Sequence, residues 1–195
     1  MKILFATANP GKLREAAGLL GPDYTLVSPA DLGITEEIPE TGSTLRENSL
    51  QKAQYLFDRT GLPCFADDSG LEVDALGGAP GIYSARYAGP EHDAGKNMDK
   101  LLAELQGVDD RRACFRTVVT LISADGTPHF FEGRCTGRIA REKHGTGGFG
   151  YDPVFIADAY PDRSFAEVGE AGKNAVSHRG QAIRAMAAWL LSRQK

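Results

Sequence analysis

The sequence has few cysteines, no long apolar run and no block of basic residues. Its 195 residues include only three cysteines, Cys64, Cys114 and Cys135, and no two of them have CxxC spacing. This odd, scattered set argues against a disulfide framework or a zinc site and favours a reducing compartment, so we predict a cytoplasmic protein. No apolar stretch has the length of a bilayer span or of a signal-peptide core, so we expect no membrane association.

The charge balance argues against nucleic acid as a partner. The formal net charge is −4, and lysine and arginine form no cluster that would attract a phosphate backbone. A hydrophobic content of 42% and a charged content of 25% are ordinary for a globular protein. With no linker or repeat, we predict a single domain over residues 1–195.

Helical and strand patterns alternate along the chain. Apolar spacing and capping residues predict helices that begin at Pro10 after the cap Asn9, run from Thr44 to about Arg59, span 98–105 and span 183–191. Short apolar or β-branched runs predict strands at 3–6, 113–122, 129–140 and 154–157, with Asp125-Gly126 as a hairpin turn. This order predicts an α/β fold with a mixed β-sheet.

The first strand–loop–helix junction is a candidate anion site. Thr7, Asn9 and Lys12 surround the expected helix N-terminus, where unpaired N–H groups and the helix dipole favour negative charge. A hydroxyl, an amide and an ammonium together suit a polyphosphate. The alternative is an ordinary helix cap beside an exposed lysine.

Two adjacent acids, Asp67 and Asp68, follow the apolar run that begins at Cys64. We interpret this run as a short strand that stops on the carboxylates, whose mutual repulsion a cation would relieve. Mg²⁺ needs one or two carboxylates and completes its shell with water and phosphate oxygens. Because neighbours on a strand face opposite sides, Asp68, nearer the expected loop, is the better metal ligand or water-activating base. The alternative is that the acids only end the strand and cap a turn.

A second carboxylate is expected from the acidic loop that contains Glu36, Glu37 and Glu40. All three lie close together in sequence, so any of them could contribute to a metal site. The alternative is a solvated acidic loop.

The glycine-rich segment 145–150 matches GxGxxG, but a strand and not a helix is expected after it. We therefore reject a dinucleotide site, which requires a helix N-terminus at the pyrophosphate. Phe149 in this segment could instead stack on a purine, or it could lie in the core.

Near the end of the chain, Lys173 and Ser177-His178-Arg179 supply hydrogen-bond donors. These donors would favour the 6-oxo group of a purine, which is an acceptor, and disfavour the 6-amino group of adenine.

Five motifs in order along the chain resemble those of the inosine/xanthosine triphosphate pyrophosphatases, a family that removes non-standard purine nucleotides. They are Thr7-x-Asn9-x-x-Lys12, Ala66-Asp67-Asp68-Ser69-Gly70, Gly77 to Arg86, Gly147 to Pro153, and Ser177-His178-Arg179. Ala8 occupies a position where glycine is common in this family, a change of one small residue for another.

The resemblance implies a fold, a reaction and an assembly. The fold would be a two-lobed α/β domain with a long central mixed β-sheet flanked by helices, and the substrate would bind in a cleft between the lobes. The enzyme would use Mg²⁺ to hydrolyse ITP, dITP or XTP to the monophosphate and pyrophosphate, which keeps these nucleotides out of DNA and RNA. A homodimer is implied as well.

The resemblance also assigns roles to residues. It implies Asp68 as the proton acceptor or metal ligand, Glu40 as a metal ligand and Ser69 as a further substrate contact. It implies that the triphosphate is bound by the first loop and the purine by later residues; these two sets are Thr7, Ala8, Asn9, Pro10, Gly11 and Lys12, and Phe149, Gly150, Tyr151, Asp152, Lys173, His178 and Arg179.

We expect Mg²⁺ and Lys12 to neutralise charge on the phosphates while an activated water attacks and pyrophosphate leaves. Two other functions use similar residues. An aspartyl-phosphate phosphatase would release orthophosphate, but it spaces its acids as Asp-x-Asp, unlike the adjacent pair here. A nucleotide sensor would bind without turnover.

Overall fold

A computed structural model describes residues 2–193 of the chain, and helices alternate with strands throughout. The strands are β1 (Lys2–Phe5), β2 (Thr25–Val27), β3 (Cys64–Val73), β4 (Pro80–Gly81), β5 (Arg112–Ile122), β6 (Pro128–Ile139) and β7 (Phe155–Ala157). The helices are α1 (Pro10–Leu20), α2 (Leu45–Thr60), α3 (Ala94–Glu104), α4 (Phe165–Val168), α5 (Glu170–Val176) and α6 (His178–Ser192). All four predicted helices are present, and so are all five predicted strands, including the one that begins at Cys64.

All seven strands belong to one mixed sheet. Its order is β2-β1-β3-β5-β6-β7, and β4 pairs with β3 outside this path. Strand β1 is parallel to both β2 and β3, whereas the β3–β4 and β6–β7 pairs are antiparallel. The predicted α/β class with a mixed sheet is confirmed. Among the helices within residues 2–193, none combines the length and the apolar character needed to cross a membrane.

The prediction that the third strand stops at the two acids is wrong. Strand β3 continues from Cys64 to Val73, so both acids lie inside a ten-residue strand. Its second half pairs with β4, and Gly70 permits this pairing because a Cβ there would lie 2.5 Å from the carbonyl oxygen of Gly81. A Ser-Gly sequence that resembles a turn is therefore a position of close strand contact.

The chain forms two compact units, each made of several segments. The first contains Met1–Asp68, Thr117–Gly133 and Arg179–Lys195. In this unit, Ile3, Phe5 and Phe65 pack in a cluster with side chains of α1 and α6. Leu4, Cys64 and Ala66 pack in a separate cluster with side chains of α2. Alternate residues of β1 and β3 therefore enter different cores, as the two-residue repeat of a strand requires.

The second unit contains Ser69–Arg116 and Arg134–His178 and has a single core. Leu71 and Val73 of β3 pack in this core with Leu101 of α3. Phe115, Phe155 and Phe165 form an aromatic group, with the rings of Phe115 and Phe155 4.6 Å apart in an edge-on arrangement.

Replacing Gly137 by alanine should destabilise the β6–β7 edge of the sheet. A Cβ at this position would collide with the carbonyl oxygen of Ile156 and would lie 2.9 Å from Cζ of Phe155. We expect the free energy of unfolding to fall by about 1–3 kcal/mol, measured from urea denaturation midpoints.

Gly18→Ala is the matched control, because Gly18 lies on the exposed side of α1 with no atom within 4 Å of the added Cβ. Alanine there should raise stability by up to about 1 kcal/mol. Equal midpoints for Gly137→Ala and the unmodified protein would contradict the close contact between the two strands.

Candidate active site

The loop before α1 is organised by Asn9. Its side-chain oxygen accepts hydrogen bonds from the amides of Gly11 (2.8 Å) and Lys12 (3.2 Å), and its own amide donates to Oγ1 of Thr7 at 3.1 Å. The predicted helix cap is confirmed. The expectation that these amides would be free for an anion is wrong for Gly11 and Lys12, because the cap uses both.

The capped loop leaves its side chains accessible. Ala8, Asn9 and Pro10 are exposed, whereas Thr7 and Gly11 are buried. Lys12 extends from this loop with 18% of its side chain exposed. An anion at this loop would therefore meet the Lys12 ammonium and side-chain donors before it met unpaired backbone amides.

Asp67 lies on the side of β3 that faces α1 and α6, and two cations hold it. Nζ of Lys12 is 3.0 Å from Oδ1, and Nε of Arg179 donates to Oδ2 at 3.0 Å. The guanidinium of Arg179 also donates to the buried carboxylate of Glu15 on α1. Both carboxylate oxygens of Asp67 are therefore occupied by structural ion pairs.

These ion pairs decide which groups carry charge. Burial acts to raise the pKa of Asp67, but the charges of Lys12 and Arg179 outweigh it and hold the pKa well below its usual value. Burial lowers the pKa of Lys12, and Asp67 only partly offsets this. Burial also acts to lower the pKa of Arg179, but Asp67 and Glu15 outweigh it, so the pKa is raised overall. Asp67 is consequently a permanent anion with its acceptors in use.

Asp68 lies on the other side of β3, and α2 provides its partners. Nζ of Lys52 is 3.1 Å from Oδ1 of Asp68, and Nδ2 of Asn48 donates to Oδ2 at 3.2 Å. The same Lys52 ammonium lies 2.5 Å from Oε1 of Glu40. Asn48 also accepts a hydrogen bond from the amide of Gly42 at 2.8 Å, which ties the acidic loop to the strand.

The structure distinguishes two of the predicted acidic ligands. It brings Glu40 to the ammonium that also binds Asp68. Glu36 instead accepts hydrogen bonds from the side chains of Tyr55 (3.1 Å) and Arg59 (3.3 Å). The geometry therefore favours Glu40 over Glu36 as a companion to Asp68.

Asp68 differs from Asp67 in the direction of its pKa shift. Burial raises the pKa of Asp68 above its usual value, and the positive charges of Lys52 and Lys12 only partly oppose this. Burial acts to lower the pKa of Lys52, but Asp68 and Glu40 outweigh it, so Lys52 stays charged. A carboxylate with a raised pKa is a better proton acceptor than one held fully ionised. Ser69, next on β3, is half-buried.

The acidic cluster of the first unit can accommodate a divalent cation. Three cations, Lys12, Lys52 and Arg179, contact four carboxylates. Glu40 and Asp68 already converge on one positively charged group, Lys52. Within residues 2–193 no cluster of three histidine, cysteine or acidic residues has metal-binding geometry. Glu40 and Asp68 are the carboxylates that would hold a divalent cation such as Mg²⁺, which binds proteins through one or two carboxylates and takes its other ligands from water and substrate.

A second group of predicted residues meets in the second unit. Nζ of Lys173 is 2.6 Å from Oδ2 of Asp152, which also accepts the amide of Phe149 at 2.8 Å. The same ammonium lies 4.2 Å from the centre of the Phe149 ring. Phe149 is half-buried, and the adjacent Gly150 has a left-handed backbone with φ of 62°.

Tyr151 belongs to the core of the second unit. Its side chain is buried, and its hydroxyl donates to the carbonyl of Ser84 at 2.8 Å. Ser84 lies in the Gly77–Arg86 motif, and its own hydroxyl accepts the amide of Leu71. This motif thus supports the glycine-rich segment, and a substrate could meet Tyr151 only through its main chain.

His178 and Arg179 are adjacent in sequence but have different surroundings. The buried His178 ring stacks on Phe115, with centroids 4.6 Å apart and planes inclined by 7°. The side chain of Arg179 binds Asp67 and Glu15 in the first unit, as described above. The structure therefore brings Phe149, Asp152 and Lys173 together but gives the Arg179 guanidinium acidic partners of its own.

Sequence reasoning missed Glu15, Asn48 and Lys52, all of which are buried and polar. One signal was available for α2. Its buried positions recur at helical spacing and include polar residues among the apolar ones: Leu45, Asn48, Ser49, Lys52, Ala53 and Leu56. A lysine within such a stripe needs an anionic partner, because an unpaired buried charge is costly.

Known proteins resemble this chain over nearly its full length. The model of the Ham1 family matches residues 3–189. A curated dITP/XTP pyrophosphatase of Porphyromonas gingivalis is 51% identical and covers 97% of each chain, and one of Yersinia pseudotuberculosis is 50% identical and covers 95% of each.

Solved structures give the same result. The Staphylococcus aureus Ham1 protein superposes with a TM-score of 0.89 at 38% identity, covering 99% of this chain and 100% of its own. A nucleoside-triphosphatase, or dITP/XTP pyrophosphatase, from Mycobacterium abscessus has a TM-score of 0.76 at 45% identity, covering 97% and 99% of the two chains. Nearly the whole chain matches in both sequence and fold, and it therefore belongs to the Ham1 family.

Proposed function

We propose that this protein hydrolyses the non-standard purine nucleotides ITP, dITP and XTP to the monophosphate and pyrophosphate. The observation that carries this proposal is the pairing of Asp68 and Glu40 about a single positive charge. It occurs in a chain about half identical, over nearly its full length, to proteins named dITP/XTP pyrophosphatase.

The loop Thr7–Lys12 is the proposed triphosphate-binding element. The Lys12 ammonium has three N–H donors, and its pair with Asp67 uses one of them. The remaining donors can bind phosphate oxygens, and Asp67 holds the side chain in position. Arg179 supports this element indirectly. It binds Asp67 and Glu15, and Asp67 in turn orients Lys12.

Asp68 is the proposed proton acceptor. It takes a proton from a water molecule as that water attacks the α-phosphorus; the bond from this phosphorus to the bridging oxygen breaks, and pyrophosphate leaves. Asn48 and Lys52 hold the two carboxylate oxygens during this step. Mg²⁺, bound by Asp68 and Glu40 with phosphate oxygens, would offset negative charge on the triphosphate.

Phe149, Asp152 and Lys173 are the proposed purine-binding residues, with His178 and the main chain of Gly150 and Tyr151 as further contacts. Phe149, a half-buried residue, can stack its ring on a base, and hydrogen-bond donors in this group favour a 6-oxo purine over adenine. The homodimer is a proposal that rests on the family resemblance, and the cytoplasmic location is a proposal that rests on the three scattered cysteines.

Product analysis tests the reaction. Incubation of the protein with ITP, dITP, XTP, GTP or ATP and Mg²⁺ should yield pyrophosphate and monophosphate from the first three only. EDTA should abolish turnover. Orthophosphate as the product, or equal use of ATP, would contradict the proposed leaving group or the proposed base selectivity.

Asp68→Asn should lower kcat for ITP by about 10²–10⁴-fold, because asparagine cannot accept the proton. Binding of ITP, measured by calorimetry, should change far less. Asp99→Asn is the matched control, since Asp99 is exposed and pairs with Lys143 at the surface. Near-normal kcat in Asp68→Asn would remove Asp68 from catalysis.

Phe149→Leu should raise KM for ITP by roughly tenfold or more and change kcat less, since base stacking contributes about 1–3 kcal/mol. Phe130→Leu provides the control, because the half-buried Phe130 packs under Arg46 in the first unit. Equal KM values for the two variants would show that Phe149 does not contact the base.

A further inference from the structure

The second unit contains a basic pocket of about 460 Å³, and its lining includes the side chains of Arg111, Arg112, Arg138, Arg141 and His144. None of these residues belongs to the proposed active site. They come from the start of β5 with the residue before it, and from the end of β6 with the loop that follows, so two separate segments contribute positive charge to one space.

Two of these arginines have no acidic partner within residues 2–193. The guanidinium of Arg111 donates to the carbonyls of Leu105, Ile139 and Ala140 at 2.6–3.0 Å. Arg138 donates to the carbonyl of Pro161 at 2.5 Å. Carbonyl oxygens fix the position of a guanidinium but do not cancel its charge.

The two aspartates of the lining offset only part of the positive charge. Asp110 makes a two-pronged pair with Arg112, at 2.9 and 2.7 Å, and neutralises it. Asp109 reaches Arg141 at 3.4 Å, but the side chains are 99% and 69% exposed, so this pair is weak. Burial lowers the pKa of Arg111, and the charge of Arg141 adds to this effect, as expected for two cations near one another.

We propose that this pocket binds a diphosphate group, supplied either as inorganic pyrophosphate or as the end of a nucleotide. Three guanidinium groups, those of Arg111, Arg138 and Arg141, carry positive charge that the lining does not fully cancel. Four arginines against two aspartates leave the lining with an excess of two positive charges, and the two phosphoryl groups of a diphosphate can contact guanidinium groups from both segments. Planar guanidinium groups recognise phosphate oxygens through paired hydrogen bonds, and the pocket has the volume of a small-ligand site.

Binding there should also restrain the segment that leads to the glycine-rich loop. His144 lies just before Gly145, and two hydrogen bonds hold its main chain. Its amide donates to the carbonyl of Pro153, and the Ser164 hydroxyl donates to its carbonyl. An anion bound by Arg138 and Arg141 would connect the end of β6 to this segment. Hydrogen exchange of residues 138–148 should therefore slow when the anion binds.

Calorimetric titration with inorganic pyrophosphate tests this site. We expect two binding events per chain in the unmodified protein and one in R138Q/R141Q, whose pocket affinity should fall at least tenfold. Lys12→Gln, which weakens the proposed active site, should keep the pocket event. Lys143→Gln, which removes a neighbouring surface charge outside the lining, should keep both. Repeating the titration with a nucleoside diphosphate shows whether the pocket prefers inorganic pyrophosphate or the diphosphate end of a nucleotide.

Hydrogen exchange locates the binding. Pyrophosphate should protect residues 138–148 in the unmodified protein and in Lys12→Gln but not in R138Q/R141Q. Arg141→Gln alone, at an exposed position, shows the partial loss without risk to folding. Equal pyrophosphate affinity and equal protection in R138Q/R141Q and the unmodified protein would overturn the assignment. If only the binding event at the active site were absent, the result would count against the proposed function, and the assignment of the pocket would stand.

Discussion

The alternation of side chains along β3 is the constraint on which the candidate site depends. Helices cover both faces of this part of the sheet, so Phe65 enters one core and Ala66 the other. The next two residues follow the same alternation. Asp67 consequently meets cations of α1 and α6, and Asp68 meets Lys52 and Asn48 of α2. Two adjacent acids thus acquire different partners, different pKa values and different proposed roles.

Buried charge gives this site its rigidity and its sensitivity to mutation. Asp67, Glu15 and Arg179 are all nearly inaccessible to solvent, and each is paired. Removing one member of such a network costs about 3–5 kcal/mol, because the charge left behind is uncompensated. Lys52 joins Asp68 to Glu40, so the two acids proposed to bind a metal ion already meet at one charged group.

The elements predicted from sequence were largely confirmed, because helices and strands leave periodic apolar patterns and recognisable caps. Asn9 and Pro10 marked the start of α1, and the structure places it there. The end of β3 was wrong because Ser69-Gly70 resembles a turn, whereas its extended course depends on contact with Gly81. Lys52 and Asn48 were missed because a polar residue on a helix resembles a surface residue until its surroundings are known.

The sequence by itself determined the fold class, the order of elements and the segments that carry the chemistry, because these follow from local periodicity and from motifs close in sequence. Only the tertiary structure decided the partners. Glu40 and Lys52 meet at Asp68, and Arg179 meets Glu15 from the far end of the chain. Such pairs form when packing brings distant segments together and excludes water, and burial then decides which carboxylate keeps its proton more readily.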